Sequence, residues 1–357
     1  MHDVVVVGAG PAGAAAAITA AAAGLSVVVV ERAAFPRPAP GESAHPGIQP
    51  LLRQLGVETE VLAADFIRYP GHAVRYPDGR EEFFPFGSDE SGPWLGFQLW
   101  RPDFDALLLA RAVATGAVVL QPRTAIDFIV RDGAVAGVVT TEEDIPARFV
   151  VDAGGLRRNL SRRLDLPAEQ IGPRRIAWYG YARGTYPARE RYPLLAVCPA
   201  GWTWIARVRR DLFAWTRMNL EDSIARDADP PEELNGLAAI GSARGANVTW
   251  ALAPIAAGPG YFLVGDAAAV LDPTSGHGLL KALLSGILAG DLINKVLTAA
   301  VPAPEAATHY SQWIRRSFGN DVAQLHTLFA QIARGKRDAS QGTNSPAHNG
   351  VQNAFRR

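Results

Sequence analysis

The chain has 357 residues, 35 Lys+Arg against 35 Asp+Glu and a formal net charge of zero, which excludes the basic surface that nucleic acid or an anionic membrane attracts. A single cysteine, Cys198, excludes an internal disulfide framework and fits a reducing, cytoplasmic setting. The length exceeds one small core and predicts a single interleaved unit of two lobes.

From Val4 to Val30 no residue is charged, which superficially suggests a membrane span or a secretory signal. Met1-His2-Asp3 lacks a positive leader, and Gly8-Ala9-Gly10-Pro11-Ala12-Gly13 divides the run into strand, helix and strand, so no membrane span and no targeting segment are expected. Gly8, Gly10 and Gly13 predict a tight turn whose backbone N–H groups face a pyrophosphate at the start of an Ala-rich helix. Glu31 ends the next apolar run, about 20 residues on, where a carboxylate accepts hydrogen bonds from a ribose. Strand, loop, helix, strand and terminal acid in that order predict a bound dinucleotide, without separating NAD from FAD.

Arg32, Arg37 and Ser43 follow in a Pro-rich loop and are candidate cofactor contacts; the loop continues as Gly41-Glu42-Ser43-Ala44-His45-Pro46 into a helix over 49–55. Pro77-Asp78-Gly79 predicts a hairpin turn. Pro102 and Asp103 start a helix with Phe104, Leu107, Leu108 and Val113 on its apolar face. A second hairpin turns at Asp132-Gly133, and the apolar run 147–151 leads into Asp152-Ala153-Gly154-Gly155.

Between Ile176 and Trp250 alternating segments predict a mostly antiparallel sheet covering a substrate. Strand alternation puts Trp202 and Trp204 on one face, as a candidate wall for an aromatic guest, with Thr203 and Ile205 on the other. Tyr261 to Val264 reads as a buried strand ending in Gly265-Asp266, followed by Asp272-Pro273, Gly276-His277-Gly278 and a helix through Leu279. Asp266 then decides between the dinucleotides. FAD has a ribitol whose hydroxyls need an acceptor and NAD has none, while the helix N-terminus beyond it stabilises negative charge on a reduced flavin. Pro302 and Pro304 separate a final helix, and the polar end from Gly335 to Arg357 has little to bury and is expected to be disordered.

These signatures resemble the FAD-dependent monooxygenase superfamily typified by para-hydroxybenzoate hydroxylase, together with geranylgeranyl reductases and tryptophan halogenases. The resemblance covers most of the chain, through the Gly8 loop, the Gly41-Glu42-Ser43 loop, Asp152-Ala153-Gly154-Gly155 and the Gly265-Asp266 block. It implies an α/β fold, with a Rossmann-like FAD-binding domain of the glutathione-reductase type interleaved with a mostly antiparallel substrate domain and a C-terminal helix. The expected boundaries are 1–70, 98–160 and 258–298 for the first domain, 71–97 and 161–257 for the second, 303–334 for the helix and 335–357 for the tail.

Carried over, the resemblance assigns Arg101 to the middle of the cofactor, Asp266 to the ribitol, and Gly276, Gly278 and Leu279 to the ring system, with Pro273 as a further cofactor contact. The Gly41–Gly47, Gly201–Ala206 and Ser275–Gly278 segments look nearest to flavoproteins that help make tryptophan-derived quinone cofactors. That branch implies hydroxylation of an aromatic ring, a peptidyl tryptophan in a precursor polypeptide, through a flavin C4a-hydroperoxide, with NADPH or NADH as a transient reductant. Same-fold alternatives are a halogenase or a double-bond reductase; a flavin-binding maturation partner of another protein is the third. Tryptophan halogenases carry a Trp-x-Trp-x-Ile-Pro element and a lysine near the hypohalous acid. Here Trp204 is followed by Ile205-Ala206-Arg207, and no lysine precedes Lys281. His277, between two glycines expected beside the flavin, and His45, in the opposite loop, are the candidate catalytic groups. The other histidines have no ligand spacing, and no metal is expected.

Overall fold

The computed structural model describes residues 1–198, 200–220 and 229–341. Charge-free β-branched runs form the central parallel strands, because a strand covered on both faces has no position for a polar side chain. His2–Val7 pairs in parallel with Val27–Val30 on one side and with Asp144–Asp152 on the other. Val118–Leu120 extends the sheet beyond Val27–Val30, and Tyr261–Leu263 pairs in parallel with the last residues of Asp144–Asp152. The hairpin of Ala125–Arg131 and Ala134–Thr140 continues the same sheet in antiparallel fashion.

The register brings the carboxyl ends of these strands to one level: Val7 is opposite both Val30 and Asp152, and Asp152 is opposite Leu263. The loops that begin after Val7, Val30, Asp152 and Leu263 therefore leave the same edge. In an open parallel sheet that edge is where ligands bind.

The other large sheet has seven strands, in the order Ala238–Asn247, Ile176–Arg183, Leu212–Asn219, Gly201–Arg209, Leu194–Cys198, Gly71–Arg75, Glu81–Pro85. It is antiparallel except where Leu194–Cys198 meets Gly71–Arg75 in parallel. The turn at Pro77-Asp78-Gly79 joins its last two strands, as the sequence predicts.

Helices complete the packing. Pro11–Ala22 is almost wholly buried and lies on the helix Gly278–Leu297. Their approach is set by glycine: a Cβ at Gly286 would stand 2.2 Å from the Ala12 carbonyl oxygen, and one at Gly290 would stand 3.0 Å from that of Ala16. The C-terminal helix spans Ala303–Gln341, so it continues past Gly335, where the sequence reading starts a disordered tail. Lys336, Arg337 and Ala339 are good helix formers, and extending an existing helix costs little. Residues 342–357 lie outside the described residues. No helix among the described residues is long and apolar enough to cross a membrane.

The Gly286 contact is with backbone, which cannot move aside. Gly286→Val is expected to lower stability by about 3 kcal/mol or more, read as a lower urea midpoint. An unchanged midpoint would contradict this close approach.

Candidate active site

One cavity of about 1120 Å³ opens at the carboxyl edge of the parallel sheet and extends to the second sheet. From that sheet it is lined by Ala177 and Tyr179, Trp202 and Trp204, and Arg244 and Ala246, residue pairs two apart that share one face. The face assignment for Trp202 and Trp204 is as expected, with Ile205 packed on the opposite side against Trp215. Trp202 is only 2% exposed and belongs to a core cluster with Leu195, Val197 and Met218, so it offers the cavity an edge. Trp204 is half-buried and offers more.

At the glycine-loop end the cavity is lined by Gly8, Gly10, Glu31, Arg32 and Arg37. Gly8 has φ +99°, and a Cβ there would meet the Ala153 carbonyl oxygen at 2.5 Å. Gly13 does not line the cavity. A Cβ on it would lie 1.9 Å from the Gly8 carbonyl oxygen, so its task is to let the helix pack on the loop. Glu31 is buried and accepts the Ala9 N–H at 2.8 Å and the Ala33 N–H at 3.0 Å, one per carboxylate oxygen. It shapes the loop and retains further acceptor capacity. Arg37 leans on Asp105 at 3.4 Å, while its Nε is buried with no hydrogen-bond partner. Its Nη2 stands 3.4 Å from the place a Gly10 Cβ would take. An orphaned cationic donor beside open backbone fits the pyrophosphate of FAD.

Arg101 starts the helix Arg101–Ala114, pairs with Asp105 at 2.6 Å one turn on, and reaches Glu42. Its charge is thus answered within the protein, and it ties the Gly41-Glu42-Ser43 loop to the helix. Ser43 donates its hydroxyl to Gln98 at 2.6 Å, although it too lines the cavity.

The opposite end is built by the segment after Tyr261–Leu263. Asp272 is fully buried, accepts from the Thr274 N–H at 3.0 Å and hydroxyl at 2.6 Å, and lies 3.5 Å from Arg175. Burial raises its pKa against those contacts. This cap fixes the turn Pro273–Ser275, after which Gly276 takes φ +65°. A Cβ on Gly276 or Gly278 would meet nothing within 4 Å. Both leave open space where the flat ring of a flavin fits, beside the N-terminus of a 20-residue helix. Asp266 is exposed to the open cavity; the surrounding protein still desolvates it in part and, helped by Glu42, pushes its carboxyl up to about 6, with Arg101 and Arg158 opposing.

His277 and His45 both line the cavity. His45 accepts the Gly47 N–H at Nδ1 at 3.0 Å and meets the Phe86 ring edge-on at 5.0 Å. Burial, then the charge of His277, lowers its pKa. His72 joins them, stacked on Phe84 and lowered to about 4 by burial. His277 Nδ1 is 3.5 Å from Asp321 of the C-terminal helix, whose other oxygen pairs with Lys281. That helix also lends Trp313, Ser317 and Phe318 to the cavity wall, a contribution sequence reasoning missed. Its signal was the buried stripe Tyr310, Ile314, Phe318, Asp321 and Leu325, helical in spacing and carrying one carboxylate among apolar residues. Among the described residues no group of three or more His, Cys, Asp or Glu is arranged to hold a metal ion.

Residues 1–183 match the family described as FAD binding domain. The chain belongs to that family. It is an FAD-dependent oxidoreductase of the monooxygenase-type superfamily. It is 29% identical to a 1H-pyrrole-2-carbonyl-(peptidyl-carrier protein) brominase of Pseudoalteromonas luteoviolacea, over 83% of this chain and 78% of that protein. It is 28% identical to a digeranylgeranylglycerophospholipid reductase of Methanothrix thermoacetophila, over 90% of this chain and 85% of that one. Among solved structures, the myxobacterial chondrochloren halogenase CndH is 26% identical, with a TM-score of 0.83 over 93% of this chain and 83% of that chain.

Asp266 generates a pH dependence in the apoprotein. Its folded pKa lies above the unfolded value, so its favourable contribution is complete below about pH 4, where both states are protonated, and is lost as pH rises through about 6. Asp266→Asn should escape that loss. The difference in urea midpoint between variant and parent is expected to widen over this interval and then level off; a pH-independent difference would contradict the desolvated carboxyl.

Proposed function

We propose that this protein is an FAD-dependent monooxygenase that hydroxylates an aromatic ring, with a peptidyl tryptophan of a precursor polypeptide as the substrate class the sequence resemblance implies. The observation that carries the reading is one cavity, continuous from the Gly8 loop to the Trp204 face, with no uncommitted lysine among the described residues of its wall. Lys281 lines it, but its ammonium is taken by Asp321 and by the Ser317 carbonyl at 2.8 Å. The tryptophan halogenases that the sequence resembles carry a lysine near the hypohalous acid.

The chain's residues divide the work. The Gly10 N–H and Arg37 hold the pyrophosphate against Gly8, whose own N–H already donates to the Val30 carbonyl at 2.8 Å; Glu31 holds the adenosine ribose and Asp266 the ribitol. Gly276, Gly278 and Leu279 bound the ring, and the N-terminus of Gly278–Leu297 stabilises negative charge on it. Reduced by NADPH or NADH, FAD supplies the activation of dioxygen. Trp202 and Trp204 exclude water from the substrate ring and hold its orientation. His277 handles a proton beside the flavin, and His45 faces it from the other loop.

Halogenation is the second reading. The 29% identity to a brominase that acts on a carrier-protein substrate favours it, and the committed Lys281 weighs against it. Protein incubated with FAD, NADPH, dioxygen, bromide and a tryptophan peptide distinguishes the two by product mass. A gain of one oxygen is expected; a bromine in place of hydrogen, or a gain of two hydrogens, would overturn hydroxylation. Arg37→Ala is expected to weaken FAD binding about tenfold, by fluorescence titration. His277→Ala should lower product formed per NADPH by about 100-fold, the missing turnover appearing as hydrogen peroxide. Unchanged coupling would leave His277 as scaffold.

A further inference from the structure

The two cavity imidazoles meet partners of opposite kind. His45 Nδ1 accepts the backbone N–H of Gly47 at 3.0 Å. A backbone N–H only donates, so that nitrogen carries no proton, and the neutral ring bears its hydrogen at Nε2. Burial keeps the ring on the neutral side of its ordinary range.

His277 faces the reverse. Its Nδ1 lies 3.5 Å from Asp321 Oδ1, with Lys281 at Oδ2 and the Lys281 ammonium anchored on the Ser317 carbonyl at 2.8 Å. Burial alone would raise the Asp321 carboxyl, but His277 and Lys281 outweigh it and hold the group ionised. A carboxylate only accepts. A lone pair on Nδ1 turned toward it is repelled, and an N–H is attracted, even at a separation longer than a full hydrogen bond. The neutral His277 ring therefore has its hydrogen at Nδ1 and a lone pair at Nε2.

We infer that the fold presets the two imidazoles in opposite tautomers, His45 as donor and His277 as acceptor at Nε2, and that Asp321 of the C-terminal helix is the positioning residue that sets His277. This deepens the reading of His277 as the proton-handling group. An acceptor beside the reacting ring selects aromatics bearing an exchangeable N–H or O–H, such as indoles, pyrroles and phenols. Pulling that proton toward the acceptor leaves more electron density on the ring and makes it a better nucleophile. A bare hydrocarbon ring leaves the acceptor unsatisfied, which costs binding. Lys281 contributes indirectly: its three donors fix which Asp321 oxygen is free to face His277.

Nitrogen NMR of the ¹⁵N-histidine-labelled full chain, with and without FAD, reads the tautomers directly at about pH 9, where imidazoles are neutral. Loss of signals in His45→Gln and His277→Gln assigns the two rings. The expected result is Nε2–H for His45 and Nδ1–H for His277. In Asp321→Asn, Lys281 draws the amide oxygen to itself and turns the amide N–H toward His277, so His277 should reverse to Nε2–H. Native His277 found as Nε2–H, or an unchanged His277 signal in Asp321→Asn, overturns the inference; if that variant fails to fold, the native spectrum alone decides. The tautomers are read without turnover. A correct pattern in a protein that makes no oxygenated product would therefore sink the proposed reaction and leave the histidine pair standing.

Discussion

The site depends on backbone meeting backbone where no side chain fits. Gly8 lies against the Ala153 carbonyl, Gly13 against Gly8 itself, and Gly286 against Ala12. These contacts hold the first loop, the Asp152–Gly155 loop and the long helix after Gly278 in one block. Distant parts of the chain thereby face a common cavity with little freedom to shift. A binding site assembled from several sequence segments needs this kind of over-determined support, since small displacements cost affinity and rate.

Charge is distributed along the cavity with a comparable logic. Asp105 is buried between Arg37 and Arg101, and Arg101 also answers Glu42. Of these four groups Arg37 keeps an uncommitted buried donor, its Nε, beside the glycine backbone. At the far end, Asp272 caps its own turn while Asp266 stands against the cavity, its ionisation opposed by desolvation. Polyol hydroxyls at Asp266 would take the place of the solvent that reaches this carboxylate in the open cavity. The C-terminal helix closes the arrangement through Asp321, a single carboxylate that meets both His277 and Lys281.

Much of this was legible in the residues, for identifiable reasons. Runs of Val with no charge, a Gly-rich turn and a terminal Glu31 are local signals, and they specify local structure. Both hairpins were readable because Asp-Gly turns set their register. What the sequence did not disclose are relations between residues far apart along the chain. Ser43 lines the cavity, and its hydroxyl also donates to Gln98, 55 residues away, a partner no local pattern discloses. Gly13 belongs to packing and not to the cavity, a distinction visible only once the helix sits on its strand. Asp321 stood on an apolar stripe in plain view, but its partners His277 and Lys281 lie 44 and 40 residues earlier, beyond the reach of any spacing rule. The second sheet was recognisable by alternation, whereas its one parallel pairing had no local mark.

The proposed function requires one FAD molecule to span the cavity from the Gly8 loop to Gly278. It is tested most directly by determining the structure of the protein reconstituted with FAD. One FAD per chain is expected, its diphosphate against Gly10 and Arg37, its ribitol on Asp266 and its ring edge at the N-terminus of Gly278–Leu297. A chain that takes up no FAD, or holds it with the adenine end at Gly278, would contradict it.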